Sequence, residues 1–335
     1  MFVEPGRVEW REGPDPMLID EGDALVRPLV VATCDIDRGF IDGTVRVPGP
    51  FPLGHEGVAE VVSVGPDVRS VAPGDRVVVA FQLSCGRCER CQRGLTSSCL
   101  AVPPRAAFGM EPLAGKWGGF FSDFVRVPHA DAVLVKLPDG MNPAVVASGS
   151  DNLPDAYRTV APHLAARPGA DVLVVGGGAW SVGLYAAGMA RALGAGRVDY
   201  VDSDPVRLAI AERMGAHVID GPLPAKLGPY AITVDASARA EGLALALRST
   251  EPYGVSTSVG IYFRPETPVP LYEMFVSGIA FHTGRANARA DLPAVLELVA
   301  SGKFDPGPVT THLVCWEDAA DALLELPVKL VAVRE

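Results

Sequence analysis

Residues 171–202, DVLVVGGGAWSVGLYAAGMARALGAGRVDYVD, decide the fold of the second half of the chain. VLVV (172–175) is an uninterrupted apolar run of strand length, and SVGLYAAGMARALGA (181–195) repeats its apolar residues at helical spacing. Between them lie Gly176, Gly177 and Gly178, with Gly183 further on. A continuous apolar strand that enters a helix through glycines opens a βαβ unit and predicts a parallel sheet covered on both faces. The alternation continues with a strand at RVDYVD (197–202), a helix at PVRLAIAERMGA (205–216) and strands at AITVDAS (231–237) and GVSTSVGIYF (254–263). This half is therefore read as a doubly wound domain on a parallel sheet.

Glycines let the backbone approach a pyrophosphate, and the helix N-terminus adds unpaired N–H groups and the positive end of its dipole. The candidate contacts are Gly176, Gly178, Ser181, Val182 and Gly183, although their spacing departs from a strict G-x-G-x-x-G. Asp202 ends the second strand, 19 residues after Gly183. An acid there accepts from both ribose hydroxyls of NAD and repels the 2′-phosphate of NADP. NAD is the expected dinucleotide, with the nearby Arg207 as the contrary signal.

Before this domain the chain changes character. ALVRPLVV (24–31), GVAEVVSVG (57–65), DRVVVAF (75–81) and SDFVRVP (122–128) read as short strands between Gly and Pro turns. Helical spacing begins at PAVVAS (143–148) and DNLPDAYRTVAPHLAA (151–166), until Arg167-Pro168-Gly169 breaks it. The tail offers a helix at DLPAVLELVASG (291–302), a strand at VTTHLV (309–314), a helix at EDAADALLEL (317–326) and a last strand at VKLVAV (328–333).

Four of the six cysteines, Cys85, Cys88, Cys91 and Cys99, form C-x2-C-x2-C-x7-C. Four thiolates close the tetrahedral coordination of zinc, which describes a structural site, with an iron–sulfur cluster as the rival reading. Cys34 follows an apolar strand, and His55-Glu56 opens the next. A thiolate, an imidazole and one more anionic ligand leave a fourth zinc position open, as catalysis requires. Singly, a buried thiol and a histidine before a strand are ordinary core residues.

The whole pattern resembles the zinc-dependent alcohol dehydrogenases of the medium-chain dehydrogenase/reductase superfamily. The resemblance is carried by C-D-I-D (34–37), G-H-E-G (54–57), P-G-D-R-V (73–77), the cysteine quartet, G-G-F (118–120) and the glycine-rich turn. It implies a GroES-like catalytic domain over residues 1–150 and 285–335, with a zinc lobe at 85–99, and a Rossmann domain over 151–284. It also implies two zinc ions per chain, with Cys34 and His55 on the catalytic one, Glu56 as a carboxylate able to approach it, and Asp37 orienting the histidine. Asp151 matches the aspartate that a branch of the family uses as third ligand; the other reading is a helix cap, a role open equally to Ser150. Relatives usually carry Ser or Thr two residues after the first zinc cysteine and often His five after it. Ile36 and Gly39 stand there, so the hydroxyl relay is missing and the proton is expected to leave by water, Asp35 or Glu56. Ile36, Phe81 and Trp117 are candidates for an apolar substrate wall, or else for core packing.

A chain of 335 residues exceeds the roughly 250–300 at which a single core stops growing. Its net charge of −11 disfavours nucleic acid and anionic membranes as partners. The opening MFVEPGRVEWREGP has no apolar core of a secretion signal, so a cytoplasmic location is expected. The resemblance implies hydride transfer between an alcohol or aldehyde (or ketone) and NAD, in a homodimer or homotetramer. Two alternatives stay open: a zinc-independent quinone or enoyl reductase of the same superfamily, and a dinucleotide-binding protein with little catalysis.

Overall fold

The computed structural model describes residues 1–334 and divides the chain into two compact units. The first holds Met1–Pro154, Ala286–Ala300 and the chain from Thr310 on; the second holds Asp155–Arg285 and Ser301–Val309. The sequence placed 301–309 with the first unit. It lies with the second because Phe304 and Val309 are buried there and Arg213 Nη2 donates to the Pro308 carbonyl at 3.3 Å.

The first unit is built on a seven-stranded sheet. Its path runs His312–Cys315, Leu330–Val333, Ala24–Ala32, Glu56–Val64, Arg76–Val79 and Leu134–Lys136, with Val125–Val127 also paired to Ala24–Ala32. All pairings are antiparallel except His312–Cys315 with Leu330–Val333. Alternating apolar residues such as Val26, Val77 and Val79 face a core that includes the mutually packed rings of Phe2, Phe40 and Phe51. Burying each such ring contributes about 1.5–3 kcal/mol, which anchors the N-terminus to the sheet.

The second unit is a six-stranded parallel sheet. Its order is His217–Asp220, Val198–Asp202, Val172–Val175, Tyr230–Asp235, Thr250–Ser258 and Ala280–Thr283. Counted within the unit this is 3-2-1-4-5-6, so the strand order reverses beside Val172–Val175. The glycine turn therefore sits at the carboxyl end of the strand where a crevice opens.

Several elements depart from the sequence reading. PAVVAS does not form an α-helix but two 3-10 turns, Pro143–Val145 and Ala147–Ser150, because Val146 leaves helical geometry between them. The helices Asp35–Ile41, Ala240–Ser249 and Leu271–Ser277 and the outer strands His217–Asp220 and Ala280–Thr283 are additional. No helix among the described residues is long and apolar enough to cross a membrane.

Candidate functional site

Strand register assembles the site in the first unit. Ala32 pairs with Glu56 and Val31 with Gly57, so the end of one strand and the start of the next lie at the same edge. Cys34 is two residues beyond Ala32, and His55 one before Glu56, which brings thiol and imidazole together. Gly54, at φ +93, makes the turn into His55 where its missing Cβ leaves room for Phe121. Ser150 then pins the third partner: its hydroxyl accepts from Gly57 N at 2.9 Å and donates to the Gly57 carbonyl at 3.2 Å. The next residue is Asp151.

One donor atom each from Cys34, His55 and Asp151 lies within 4.8 Å of the others. Cys34 Sγ is 3.4 Å from Asp151 Oδ2, and His55 Nε2 is 3.6 Å from the same oxygen. On the other side of the ring, His55 Nδ1 is 3.4 Å from Asp37 Oδ1, while Asp37 Oδ2 accepts from Cys34 N at 2.9 Å. Asp37 thus braces the imidazole and the loop carrying Cys34 at once. His55 and Asp37 are fully buried, yet among the described residues neither imidazole nitrogen nor Asp37 Oδ1 has a hydrogen-bond partner.

The electrostatics describe a site that wants a cation. Burial, with Asp151 next in weight, pushes the Cys34 thiol up to about 12. Burial alone would lower His55, but the Asp37 carboxylate and the neighbouring Asp151 and Cys34 hold it well above its ordinary value. A dication between thiolate, imidazole and carboxylate would answer that demand for positive charge. The donor set and the orphaned nitrogens fit zinc with a free vertex.

Sequence reasoning missed two residues behind this set. Lys329 precedes the strand Leu330–Val333, whose pairing with Ala24–Ala32 sinks it to zero exposure. Its ammonium donates to the Thr33 carbonyl, to Glu56 Oε2 at 2.6 Å and to Asn152 Oδ1 at 2.7 Å. Asn152 Nδ2 in turn donates to Cys34 Sγ at 3.2 Å and Asp151 Oδ2 at 3.3 Å. Asn152 N–H donates to Glu56 Oε1 at 2.8 Å, so Glu56 satisfies the first N–H of the helix. Burial nevertheless leaves Glu56 above its ordinary value, with Lys329 working against the rise. Glu56, expected near the metal, is held by Lys329 and the helix start, and Ser150 serves the strand rather than the helix.

Of the proposed apolar wall, Phe81 is buried with its ring 5.7 Å from that of His55. Ile36 packs against the core, as does Trp117, whose indole donates to the Ala114 carbonyl at 2.9 Å and closes its own loop.

Cys85, Cys88, Cys91 and Cys99 have their sulfurs within 4.8 Å of one another. Backbone N–H groups are aimed at three of them: Cys88 N at Cys85 Sγ (3.4 Å), Cys85 N at Cys99 Sγ (3.3 Å) and Leu100 N at Cys88 Sγ (3.5 Å). Such donors stabilise thiolates, and the Leu100 bond leads in pulling Cys88 down to about 6. Four converging sulfurs with amide support fit a closed metal site.

In the second unit, Val172–Val175 ends at Gly176–Ala179 and the helix Trp180–Ala192 follows. Gly177, at φ +144, would place a Cβ 2.8 Å from Ser237 Cα, so only glycine fits. Gly183 lies one turn inside the helix, where a Cβ would come 2.9 Å from that of Ala236. Its place is helix-to-strand packing, with Ser181 and Val182 buried beside it. Asp202 ends its strand as expected, but its oxygens are occupied. Oδ1 accepts from Ser203 N (2.7 Å), Asp204 N (3.1 Å) and Arg207 Nη2 (2.7 Å). Oδ2 accepts from Arg207 Nε (2.7 Å) and the Tyr200 hydroxyl (3.1 Å). Burial would raise this carboxyl, but Arg207 outweighs it and keeps it below the usual carboxylate range.

Known proteins resemble this chain in sequence and fold. Residues 20–139 match the alcohol dehydrogenase GroES-like domain family, and residues 181–301 the zinc-binding dehydrogenase family. Over 321 residues the chain is 31% identical to a Mycobacterium tuberculosis protein named "Probable zinc-binding alcohol dehydrogenase", covering 94% of this chain and 81% of that one. It is 32% identical to the NADP-dependent isopropanol dehydrogenase of Thermoanaerobacter brockii, covering 92% of this chain and 89% of that one. The solved structure of alcohol dehydrogenase TADH from Thermus sp. ATN1 superposes with TM-score 0.88 at 31% identity, covering 100% of this chain and 99% of that one.

Proposed function

The chain belongs to the zinc-dependent alcohol dehydrogenases of the medium-chain dehydrogenase/reductase superfamily, and from that premise we propose that Cys34, His55 and Asp151 hold its catalytic zinc. The protein is an oxidoreductase of the alcohol dehydrogenase type. The finer reading is that it transfers hydride between a small alcohol and its aldehyde or ketone, with NAD(H) as carrier and a second zinc on the cysteine quartet. The observation that carries it is the fully buried His55, its two nitrogens unbonded among the described residues, facing a thiol and two carboxylates.

Zinc supplies a Lewis acid for charge on the substrate oxygen, and nicotinamide supplies the carbon that gains or loses hydride. The remaining work falls to side chains of this chain. Cys34 and Asp151 bring two negative charges, as two thiolates would, so that exchanging one cysteine for aspartate leaves the ligand charge unchanged. Asp37 fixes the ring of His55, and Asn152, steadied by Lys329, donates to both anionic ligands. With Ile36 and Gly39 in place of a hydroxyl relay, and Glu56 bonded to Lys329 and Asn152, the substrate proton leaves by water or Asp35.

A second copy of the chain is the proposed partner. Leu271, Tyr272, Phe275 and Val276 are 67%, 79%, 81% and 66% exposed on a helix that leads into the sheet-edge strand Ala280–Thr283. Contiguous apolar surface beside an open strand edge suits a homo-oligomer.

Metal analysis combined with an NAD-coupled panel of alcohols, aldehydes and ketones tests the reading. Two zinc ions per chain, falling to one in Cys34→Ala together with loss of turnover, support it. One zinc in both proteins, with reduction of quinones or enones retained, assigns the chain to the zinc-independent reductases instead.

A further inference from the structure

Asparagine is a modest helix former that favours helix ends, where its side chain can bond to backbone groups. Asn152 opens the helix Asn152–Ala166, yet its amide goes to other side chains. The amide oxygen accepts from Lys329 Nζ at 2.7 Å. A lysine ammonium only donates, so the end facing Lys329 is the oxygen and the NH2 faces the opposite way. There it meets Cys34 Sγ at 3.2 Å and Asp151 Oδ2 at 3.3 Å, one acceptor for each amide proton. Asn152 is 1% exposed and Lys329 0%, so these protein partners stand in for water.

The three ammonium protons of Lys329 meet the Thr33 carbonyl, Glu56 Oε2 and Asn152 Oδ1, which fixes the lysine and, through it, the direction of the amide. Asn152 thereby presents N–H groups to two of the three side chains that converge on the site. Cys34 Sγ and Asp151 Oδ2 are 3.4 Å apart, and as metal ligands both carry negative charge. Like charges at that spacing repel, and a donor shared between them offsets part of the repulsion. An N–H on a thiolate also draws electron density back from a metal–sulfur bond, which leaves the metal a stronger Lewis acid. A neutral amide does this without competing as a cation for the ligands.

We propose that Asn152 is a positioning residue through which the buried Lys329 acts on the metal ligands: its amide holds Cys34 and Asp151 in register and raises the Lewis acidity of the metal they carry. The inference rests on the assignment of Cys34, His55 and Asp151 as ligands.

Co2+ placed in the open site of the full-length protein, with zinc kept in the cysteine quartet, reports on the bond through the thiolate-to-cobalt charge-transfer band. Hydrogen bonds to sulfur raise the energy of that band, because they stabilise the electrons it removes. Asn152→Leu keeps the volume and the backbone N–H to Glu56 but lacks both side-chain donors. It should move the band to longer wavelength and weaken metal binding by about 10- to 100-fold in competition with a chelator. Weaker binding with an unmoved band would reduce Asn152 to packing and overturn the proposal, as would an unchanged spectrum and affinity. Should Asn152→Leu fail to fold, Asn152→Asp retains the acceptor for Lys329 without the donors. The same shift to longer wavelength then supports the proposal, and a band at the wild-type position overturns it. A wild-type protein with no such band, or a band that persists in Cys34→Ser, would instead sink the ligand assignment.

Discussion

Replacing Lys329 by methionine isolates the ion pair behind the proposed ligand set. The ammonium is at zero exposure and serves the Thr33 carbonyl, Glu56 and Asn152. Methionine fills similar volume, so packing loss is small and the penalty is electrostatic. It leaves Glu56, also at zero exposure, with the Asn152 N–H but no cation. Breaking a buried pair from one side costs about 3–5 kcal/mol. For a unit of about 200 residues, where 1 kcal/mol moves the midpoint about 2–4 °C, the expected drop is about 6–20 °C. Adding Glu56→Gln to Lys329→Met should recover at least half, because the stranded charge goes with it. The assay is a double-mutant cycle by urea and thermal unfolding, run with metal chelated and again with zinc bound, since a ligand of the native state raises apparent stability. A loss below about 1 kcal/mol in Lys329→Met, or no coupling to Glu56→Gln, would refute the claim that this lysine neutralises the carboxylate.

Three further outcomes are expected. Cys85→Ser should remove one zinc per chain and expose the 85–99 loop to limited proteolysis while Cys34, His55 and Asp151 keep theirs; unchanged metal content would count against the quartet as a site. His163, lowered by burial and by the stacked His282 at 5.8 Å, resists a proton that the unfolded chain accepts below about pH 6.5. Stability is therefore whole above that value and falls as pH drops toward the folded pKa; His163→Gln should flatten that slope in urea unfolding at pH 7, 6 and 5, and an unaltered slope would assign it elsewhere. Phe275→Asp should shift the protein to monomer in analytical ultracentrifugation, and an unshifted sedimentation coefficient would remove that face from any self-association.

How much the sequence disclosed follows from which physical signals are local. VLVV and its glycines were legible because a strand buried on both faces is apolar throughout and a tight turn demands residues without a side chain. The outer strands His217–Asp220 and Ala280–Thr283 were not, because partly exposed edges carry no alternation to read. The seven-residue helix Asp35–Ile41 escaped for a different reason: it is held by Asp37 bonding back to Cys34 N, not by an apolar stripe. Cysteine spacing announced the quartet, and Cys34 and His55 were found through the motifs around them. Lys329 was invisible because a lysine before an apolar run ordinarily marks a solvent edge, and only the register of Val331 with Ala32 buries it. The saturation of Asp202 was equally beyond a linear reading, which sees an acid at a strand end but not the fork of Arg207 closing over it.

The most direct test of the central claim is zinc-edge anomalous diffraction from crystals of the zinc-loaded protein. Two peaks are predicted, one bounded by four cysteine sulfurs and one contacted by Cys34 Sγ, a nitrogen of His55 and an oxygen of Asp151. A single peak at the quartet, with those three side chains touching no metal, would contradict the account.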